Sequence, residues 1–214
     1  MAKRTSDERL FDAALDAIYG AAPDPSLWPE ALQAIANEAL RAGEMIRRLR
    51  RLVDKPAPQR SDVDFNELMI DVAKLAQSEA RVHAVRIELE LDENLPAVLA
   101  DAHQIQHMIL ALLRNAIEAL AEWPSDSRRI VLRTGRPSPT HVEISVADNG
   151  PGVAPSLSDR LFTPFATTRP HGTGLGLAAS QTIARAHGGV IGYRPLSPTG
   201  SCFCASIPIA GGSA

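Results

Sequence analysis

Three glycines at alternate positions, Gly172, Gly174 and Gly176 in the run RPHGTGLGL (Arg169–Leu177), stand directly before a helical pattern. Bare backbone N–H groups at the start of a helix make a site for an anion, because the helix dipole and the unpaired donors both favour negative charge. The run is not a dinucleotide fingerprint, since no βαβ unit surrounds it. Nor is it a Walker loop, since no GK[ST] follows. Upstream lie, in order, QIQHMILALLRNAIEAL (Gln104–Leu120), VADNGPGV (Val146–Val153) and LFTPFATT (Leu161–Thr168). A lone glycine run constrains little, whereas four segments in a fixed order constrain a great deal.

The 214 residues, 45% of them hydrophobic, suffice for one full domain and a smaller appendage. Lys and Arg total 22 against 25 Asp and Glu, a net charge of -3, so no global basic field favours nucleic acid. Cys202 and Cys204 are two apart in an expected strand, so they share a face and cannot easily bridge each other. They read as small apolar core residues rather than metal or redox groups. No apolar run reaches the roughly 18 to 20 residues that span a bilayer, and MAKRTSDERL lacks a signal-peptide core. The expected location is cytoplasmic.

Residues 7–19 have helical spacing, and Gly20 breaks it. After the turn APDPSLWPE, Pro29 is well placed to start a second helix. Its apolar positions Leu32, Ile35, Ala39, Ala42, Ile46, Leu49 and Val53 alternate in steps of three and four, a heptad seam. Arg47, Arg48, Arg50 and Arg51 fall off that seam as a solvated face near the helix C-terminus. KPAPQR (Lys55–Arg60) is a linker that its prolines keep from continuing the helix. The expected domains are therefore a helical hairpin at residues 1–57 and a larger domain at residues 58–214.

In the larger domain, Phe65–His83 reads as a helix and VRIELEL (Val85–Leu91) as an alternating strand. Residues 101–120 form an amphipathic helix with Ile105, Met108, Ile109, Leu112, Leu113, Ala116, Ile117 and Leu120 on one side. RIVLRT (Arg129–Thr134) and HVEISVA (His141–Ala147) suggest a hairpin around GRPSPT. A helix over Thr173–His187 and strands at Val190–Tyr193 and Ser201–Pro208 complete the order. The expected class is α+β, a two-layer sandwich of helices on one face of a mixed sheet, preceded by an N-terminal helical hairpin.

The candidate chemistry sits in the four segments. Asn115 lies beside the apolar stripe of its helix, and an amide oxygen is a hard ligand suited to Mg²⁺. Ala111 and Glu118 share its face at i−4 and i+3. Asp148 ends a strand just before Gly150 and Gly152, whose missing side chains let backbone approach a ligand closely. Phe162, Pro164 and Phe165 are expected to pack a lid, with Thr167, Thr168 and Arg169 near the anion. His103 and His107 are spaced i, i+4, which can bind zinc, but no cysteine or carboxylate partner is evident and helix-surface residues are the better reading. His187, before Gly188–Gly189, is expected near a helix end as a charge-tolerant C-cap.

LLRNAIEA, DNGPG, LFTPF and GTGLGL in this order resemble the ATP-binding domain of sensor histidine kinases, of the superfamily shared with DNA gyrase and a heat-shock chaperone (the Bergerat fold). The resemblance covers roughly residues 62–208. It implies ATP and Mg²⁺ as cofactors, Asn115 as the metal ligand and catalytic residue, and Asp148 as the reader of the adenine N6. Guanine offers an oxygen at that place, so a carboxylate there selects adenine. It further implies nucleotide contacts from Gly150, Gly152, Thr167, Thr168, Gly172, Thr173, Gly174, Leu175 and Gly176. Arg169 stands where lysine is common in relatives, and a cation on the γ-phosphate is its functional reading against a solvated loop charge. Ala111 departs from the polar residue many relatives carry.

The heptad segment Ala39–Val53 looks like the second helix of the family's dimerisation hairpin, which implies a homodimer. That hairpin's first helix normally carries the phosphoacceptor histidine, yet no histidine precedes His83. Three readings follow. One is a histidine-kinase-type phosphotransferase acting on a histidine of another chain, with a response regulator or histidine-bearing protein as partner, or else a truncated kinase. The second is a non-catalytic, ATP-dependent protein-interaction module. The third is an anti-sigma-type ATPase or kinase, disfavoured by the helical appendage.

Overall fold

Asp64 begins the larger domain's first helix by accepting hydrogen bonds through Oδ1 from the backbone N–H groups of Asn66 (2.7 Å) and Glu67 (3.3 Å). This N-cap satisfies donors that the first turn leaves without partners. The computed structural model describes residues 28–29, 32–33, 59–124, 127–167 and 173–209. In chain order the elements are β1 (Ser61–Val63), α1 (Phe65–Val82), β2 (Arg86–Glu90), β3 (Val98–Ala100), α2 (Ala102–Ala121), β4 (Arg129–Ser138), β5 (His141–Asp148), α3 (Pro155–Ser158), α4 (Gly176–Ala186), β6 (Val190–Pro195) and β7 (Ser201–Pro208). Trp28, Pro29, Leu32 and Gln33 are helical, and Trp28 and Leu32 are exposed. The expected helices at 7–19 and 30–53 and the boundary at 57/58 otherwise lie outside the described residues.

Five strands form one sheet in the order β2-β4-β5-β7-β6, with β2 parallel to β4 and every other pair antiparallel. The mixed sheet expected from the sequence is what the chain forms. Pairing of β5 with β7 sets Asp148 against Ser201 and Val146 against Phe203. A separate two-stranded pair joins β1 to β3, a feature the sequence reading lacks. Three residues per strand are too few for a periodic signal.

The helices cover one face of the sheet, and alternation decides which residues meet them. Ile130 and Leu132 of β4, Ile144 and Val146 of β5, and Phe203 and Ala205 of β7 enter the core beneath α1 and α2. All eight apolar positions expected on α2 are buried there. Burial of one such Leu or Ile is worth about 1.5–3 kcal/mol, so this single stripe anchors the helix firmly.

Both cysteines take the opposite face, so they are not part of the core beneath the helices. Cys202 is buried and Cys204 half-buried. Burial pushes the Cys204 thiol up, Glu143 adds to the rise, and Arg194 opposes it. A thiol held protonated is a poor nucleophile. Ion pairs Glu88–Arg129 (3.3 Å) and Glu90–Arg133 cross between β2 and β4 on this face, and Glu143–Arg194 (3.1 Å) reaches from β5 over β7 to β6. Exposed pairs of this kind contribute little to stability.

Two boundaries and one packing expectation need correction. The strand β4 does not stop at Thr134 but runs on to Ser138, through a register irregularity between Gly135 and Ser138, so most of GRPSPT is strand rather than loop. The helix expected from Thr173 starts three residues later, at Gly176. Gly174 has φ +62°, a left-handed conformation that cannot belong to a right-handed helix. Phe165, expected to pack the lid, is 55% exposed, although Phe162 packs against the core.

Candidate functional site

The site is organised along one face of α2. Ala111, Asn115 and Ala119 follow one another at four-residue intervals and are all partly exposed, so they line up one above the next. At one end, a Cβ placed on Gly176 would lie 4.0 Å from Ala111 Cβ, which puts the start of α4 against this face. At the other, a Cβ on Gly150 would stand 3.3 Å from Leu120 Cδ2 and 3.8 Å from the Ala119 carbonyl oxygen. The glycine run and the DNGPG loop thus touch the same helix about 12 Å apart along its axis, with Asn115 midway between them. Glu118 is exposed beside this row.

Asp148 is the last residue of β5 and only 4% exposed. Its Oδ1 accepts the Gly150 backbone N–H at 2.9 Å. Gly152 adopts φ +80°, which glycine reaches without steric cost. Two residues outside the sequence-derived set hold this loop in place. Asn149 accepts the Arg129 backbone N–H through Oδ1 at 2.8 Å and donates from Nδ2 to the Ser127 carbonyl at 2.6 Å, pinning the loop to the start of β4. Gly200, at φ +123°, lies so close behind that a Cβ there would be 2.2 Å from the Asp148 carbonyl oxygen. Gly200 carries only a turn signal in the sequence, and nothing local says which strand end it backs.

At the other end, Leu175 is buried and precedes α4 without a side-chain cap. Its carbonyl accepts the Ala179 N–H at 2.9 Å, the first bond of the helix. The Gly174 carbonyl accepts the Phe165 N–H at 3.1 Å, which ties the LFTPF segment to the glycine run. That contact is backbone on backbone: a Cβ on Gly174 would stand 2.5 Å from Phe165 C. Phe165 itself is held at φ 66°. Thr173 is half-buried and Thr167 exposed. Thr168, Arg169, His171 and Gly172 lie outside the described residues.

The histidines outside this site divide. His103 and His107 are exposed on α2, as a helix surface requires. Among the described residues no group of three or more His, Cys, Asp or Glu side chains is arranged to hold a metal ion. His187 is the C-cap of α4 as expected, and it is buried, with its ring Nε2 accepting the Asp101 backbone N–H at 3.0 Å. No described helix is long and apolar enough to cross a membrane.

The family described as "Histidine kinase-, DNA gyrase B-, and HSP90-like ATPase" matches residues 100–211, from β3 to beyond β7. The chain belongs to this family. It is 31% identical over 189 residues to the C4-dicarboxylate transport sensor protein DctS of Rhodobacter capsulatus, covering 87% of this chain and 29% of that protein. It is 34% identical over 180 residues to the sensor protein FixL of Bradyrhizobium diazoefficiens, covering 84% of this chain and 35% of that protein. The chain therefore spans about a third of the length of these relatives. Among solved structures, full-length ShkA in complex with AMPPNP superposes with a TM-score of 0.71 at 26% identity, over 97% of this chain and 47% of that one. The fold is that of histidine kinase catalytic domains, and the domain is of the ATP-binding type.

Proposed function

We propose that this chain is the nucleotide-binding part of a two-component histidine kinase system, and that it holds Mg-ATP across α2. The observation that carries the reading is the row Ala111–Asn115–Ala119, which joins the Asp148 loop at one end to the start of α4 at the other. In this reading the Asp148 carboxylate accepts a hydrogen bond from the adenine amino group, and Gly150 and Gly152 leave room for the base. Backbone N–H groups of Gly174, Leu175 and Gly176, joined by Gly172, receive the phosphates. Thr167, Thr168, Thr173 and Arg169 complete the phosphate end. The likeness to ShkA, solved in complex with AMPPNP, supports nucleotide binding by a domain of this fold.

The donor set fits magnesium. Asn115 offers one amide oxygen, and the small residues on either side of it leave space for a hydrated ion. Mg²⁺ keeps most of its waters and takes one or two protein oxygens together with phosphate oxygens, so a site with few protein donors suits it. Bound there, the ion would neutralise charge on the phosphates, and Asn115 would hold it.

Phosphoryl transfer would go to a histidine outside residues 1–82, which contain none, and we place it on another chain; a phosphoacceptor must present its imidazole in line with the γ-phosphate. Residues 30–53 pair two copies through the heptad seam, for which exposed Leu32 is the described member. A response regulator is the expected downstream partner. The same lack of an early histidine favours the second reading, an ATP-dependent interaction module without transfer.

Fluorescent-nucleotide titration tests the binding site. Asp148→Asn is expected to weaken ATP by about 1–3 kcal/mol, the range for a buried polar contact left unsatisfied, and to erase the preference for ATP over GTP. Equal affinity of variant and parent would sink the assignment. Incubation with γ-labelled ATP separates the two readings. The chain alone should form no acid-labile label, and label should appear on an added histidine-bearing chain only if transfer occurs.

A further inference from the structure

The helix α4 is held at the end remote from the nucleotide reading. Its N-terminus has no side-chain cap, whereas its C-terminus is tied to two other segments. The His187 ring is 3% exposed, with Nδ1 2.9 Å from the Ile183 carbonyl and Nε2 3.0 Å from the Asp101 backbone nitrogen. A carbonyl only accepts and an amide N–H only donates, so Nδ1 carries the proton and Nε2 is the acceptor. Asp101 is the N-cap of α2, where its Oδ1 accepts the Gln104 N–H at 3.1 Å and its Oδ2 accepts the Gln59 N–H at 3.0 Å. Arg60 Nη2 then donates to the Ala186 carbonyl at 2.8 Å, closing the cluster on the last residue of α4.

We infer that His187 is a positioning residue for the phosphate end of the nucleotide site. It joins the C-terminus of α4 to the N-cap of α2, and so fixes where the opposite end of α4 lies against Ala111, one turn of α2 from Asn115. The inference rests on the reading under Proposed function for the α4 end of the site. The lever is short and stiff: α4 has 11 residues, about 16 Å of helix. Loss of the clasp lets α4 slide or tilt against α2, and a displacement of about 1 Å at reacting groups is enough to cost two orders of magnitude in rate. The Gly176–Ala111 contact, with no large side chain on either partner, offers little to resist such a shift.

Asp148 stands on β5, at the far end of the α2 row, and is untouched by movement of α4. The role therefore predicts a split between phosphate and base. His187→Asn leaves a donor near the Ile183 carbonyl but no acceptor where Nε2 stands. It is expected to weaken Mg-ATP at least tenfold while adenosine, measured by displacement of a fluorescent nucleotide, stays within twofold of the parent. His187→Gln places an amide oxygen near the position of Nε2 and is expected to recover most of the ATP affinity. A folded His187→Asn chain binding ATP within twofold of the parent overturns the inference. So does an equal loss of ATP and adenosine, which makes the residue merely structural, or a Gln variant no better than Asn. Should the variants not fold, the ring nitrogens of the parent protein decide: long-range ¹H–¹⁵N spectra must show a protonated Nδ1 and an unprotonated Nε2, and the opposite tautomer refutes the clasp. Failure of the Asp148 reading would show separately, as an Asp148→Asn chain with unchanged ATP and adenosine affinity.

Discussion

The Gly150 backbone N–H donates to Asp148 Oδ1 at 2.9 Å, and a Cβ on Gly150 would stand at that same 2.9 Å from the oxygen. The hydrogen bond that orients the carboxylate and the space it needs therefore both depend on the absence of a side chain. Gly150 is itself buried against Leu120, so an added methyl group has nowhere to go without moving one neighbour or the other.

Gly150→Ala is accordingly expected to fold but to mis-aim Asp148. Overpacking of this size costs about 1–3 kcal/mol. We expect ATP affinity to fall about tenfold or more, with the far-UV circular dichroism spectrum unchanged. Titration with a fluorescent nucleotide reads the first and the spectrum the second; parental affinity in a folded variant would refute the arrangement.

Gly174 and Gly176 should respond differently to the same substitution. A Cβ on Gly174 meets Phe165 backbone at 2.5 Å and its φ is left-handed, so Gly174→Ala should detach the Phe165 contact and lower both stability and ATP affinity. A Cβ on Gly176 meets only Ala111 Cβ, at 4.0 Å. Gly176→Ala should leave stability unchanged or raise it by about 0.5–1 kcal/mol, since glycine weakens a helix relative to alanine. If phosphates lie against that N-terminus, its ATP affinity should still fall. Urea unfolding and nucleotide titration, run side by side on both variants, separate the two cases.

Asp101 makes stability depend on acid. Burial pushes its carboxyl up, but the backbone N–H groups of Gln104, Gln59 and His103 together pull it below its ordinary value of 3.8. A folded value below the unfolded one means that the ionised group stabilises the fold above about pH 4, and that this contribution is lost as pH falls through the folded value. Asn caps a helix about as well as Asp but does not titrate. Asp101→Asn should therefore keep most of the stability at pH 7 and show a shallower loss below pH 4, whereas Asp101→Ala should lose about 1 kcal/mol at neutral pH. Denaturant midpoints measured from pH 3 to pH 7 test both.

Ala84 offers a gain in stability. It follows the C-cap of α1 with φ 52°, its N–H bonded to the Arg81 carbonyl (3.1 Å) and the next N–H, of Val85, to the Ala80 carbonyl (2.8 Å). This closure normally uses glycine, because a left-handed alanine costs roughly 1–2 kcal/mol. Ala84→Gly should stabilise by about 0.5 kcal/mol after the added freedom of the unfolded chain is deducted. A lower melting temperature for the variant would count against this account.

Local periodicity and residue chemistry made much of the protein legible in advance. The eight apolar positions of α2 are buried because a helix repeats every 3.6 residues wherever it is placed. Likewise Cys202 and Cys204 share a face because a strand repeats every two. Asp148 ends its strand as the DNG turn requires, and the order of the four segments identified the family. The remaining features depend on groups distant in sequence. The start of α4 is set by Phe165 backbone packed on Gly174, and the aim of Asp148 by Gly200 and by the Asn149 clamp on Arg129 and Ser127. His187 finds its acceptor role only when α4 brings it to Asp101, 86 residues earlier. A residue's own pattern says which element it joins and which face it takes. It does not say which backbone group, many residues away, will stand within 3 Å of it, and that distance decides whether glycine is needed or a ring nitrogen must accept.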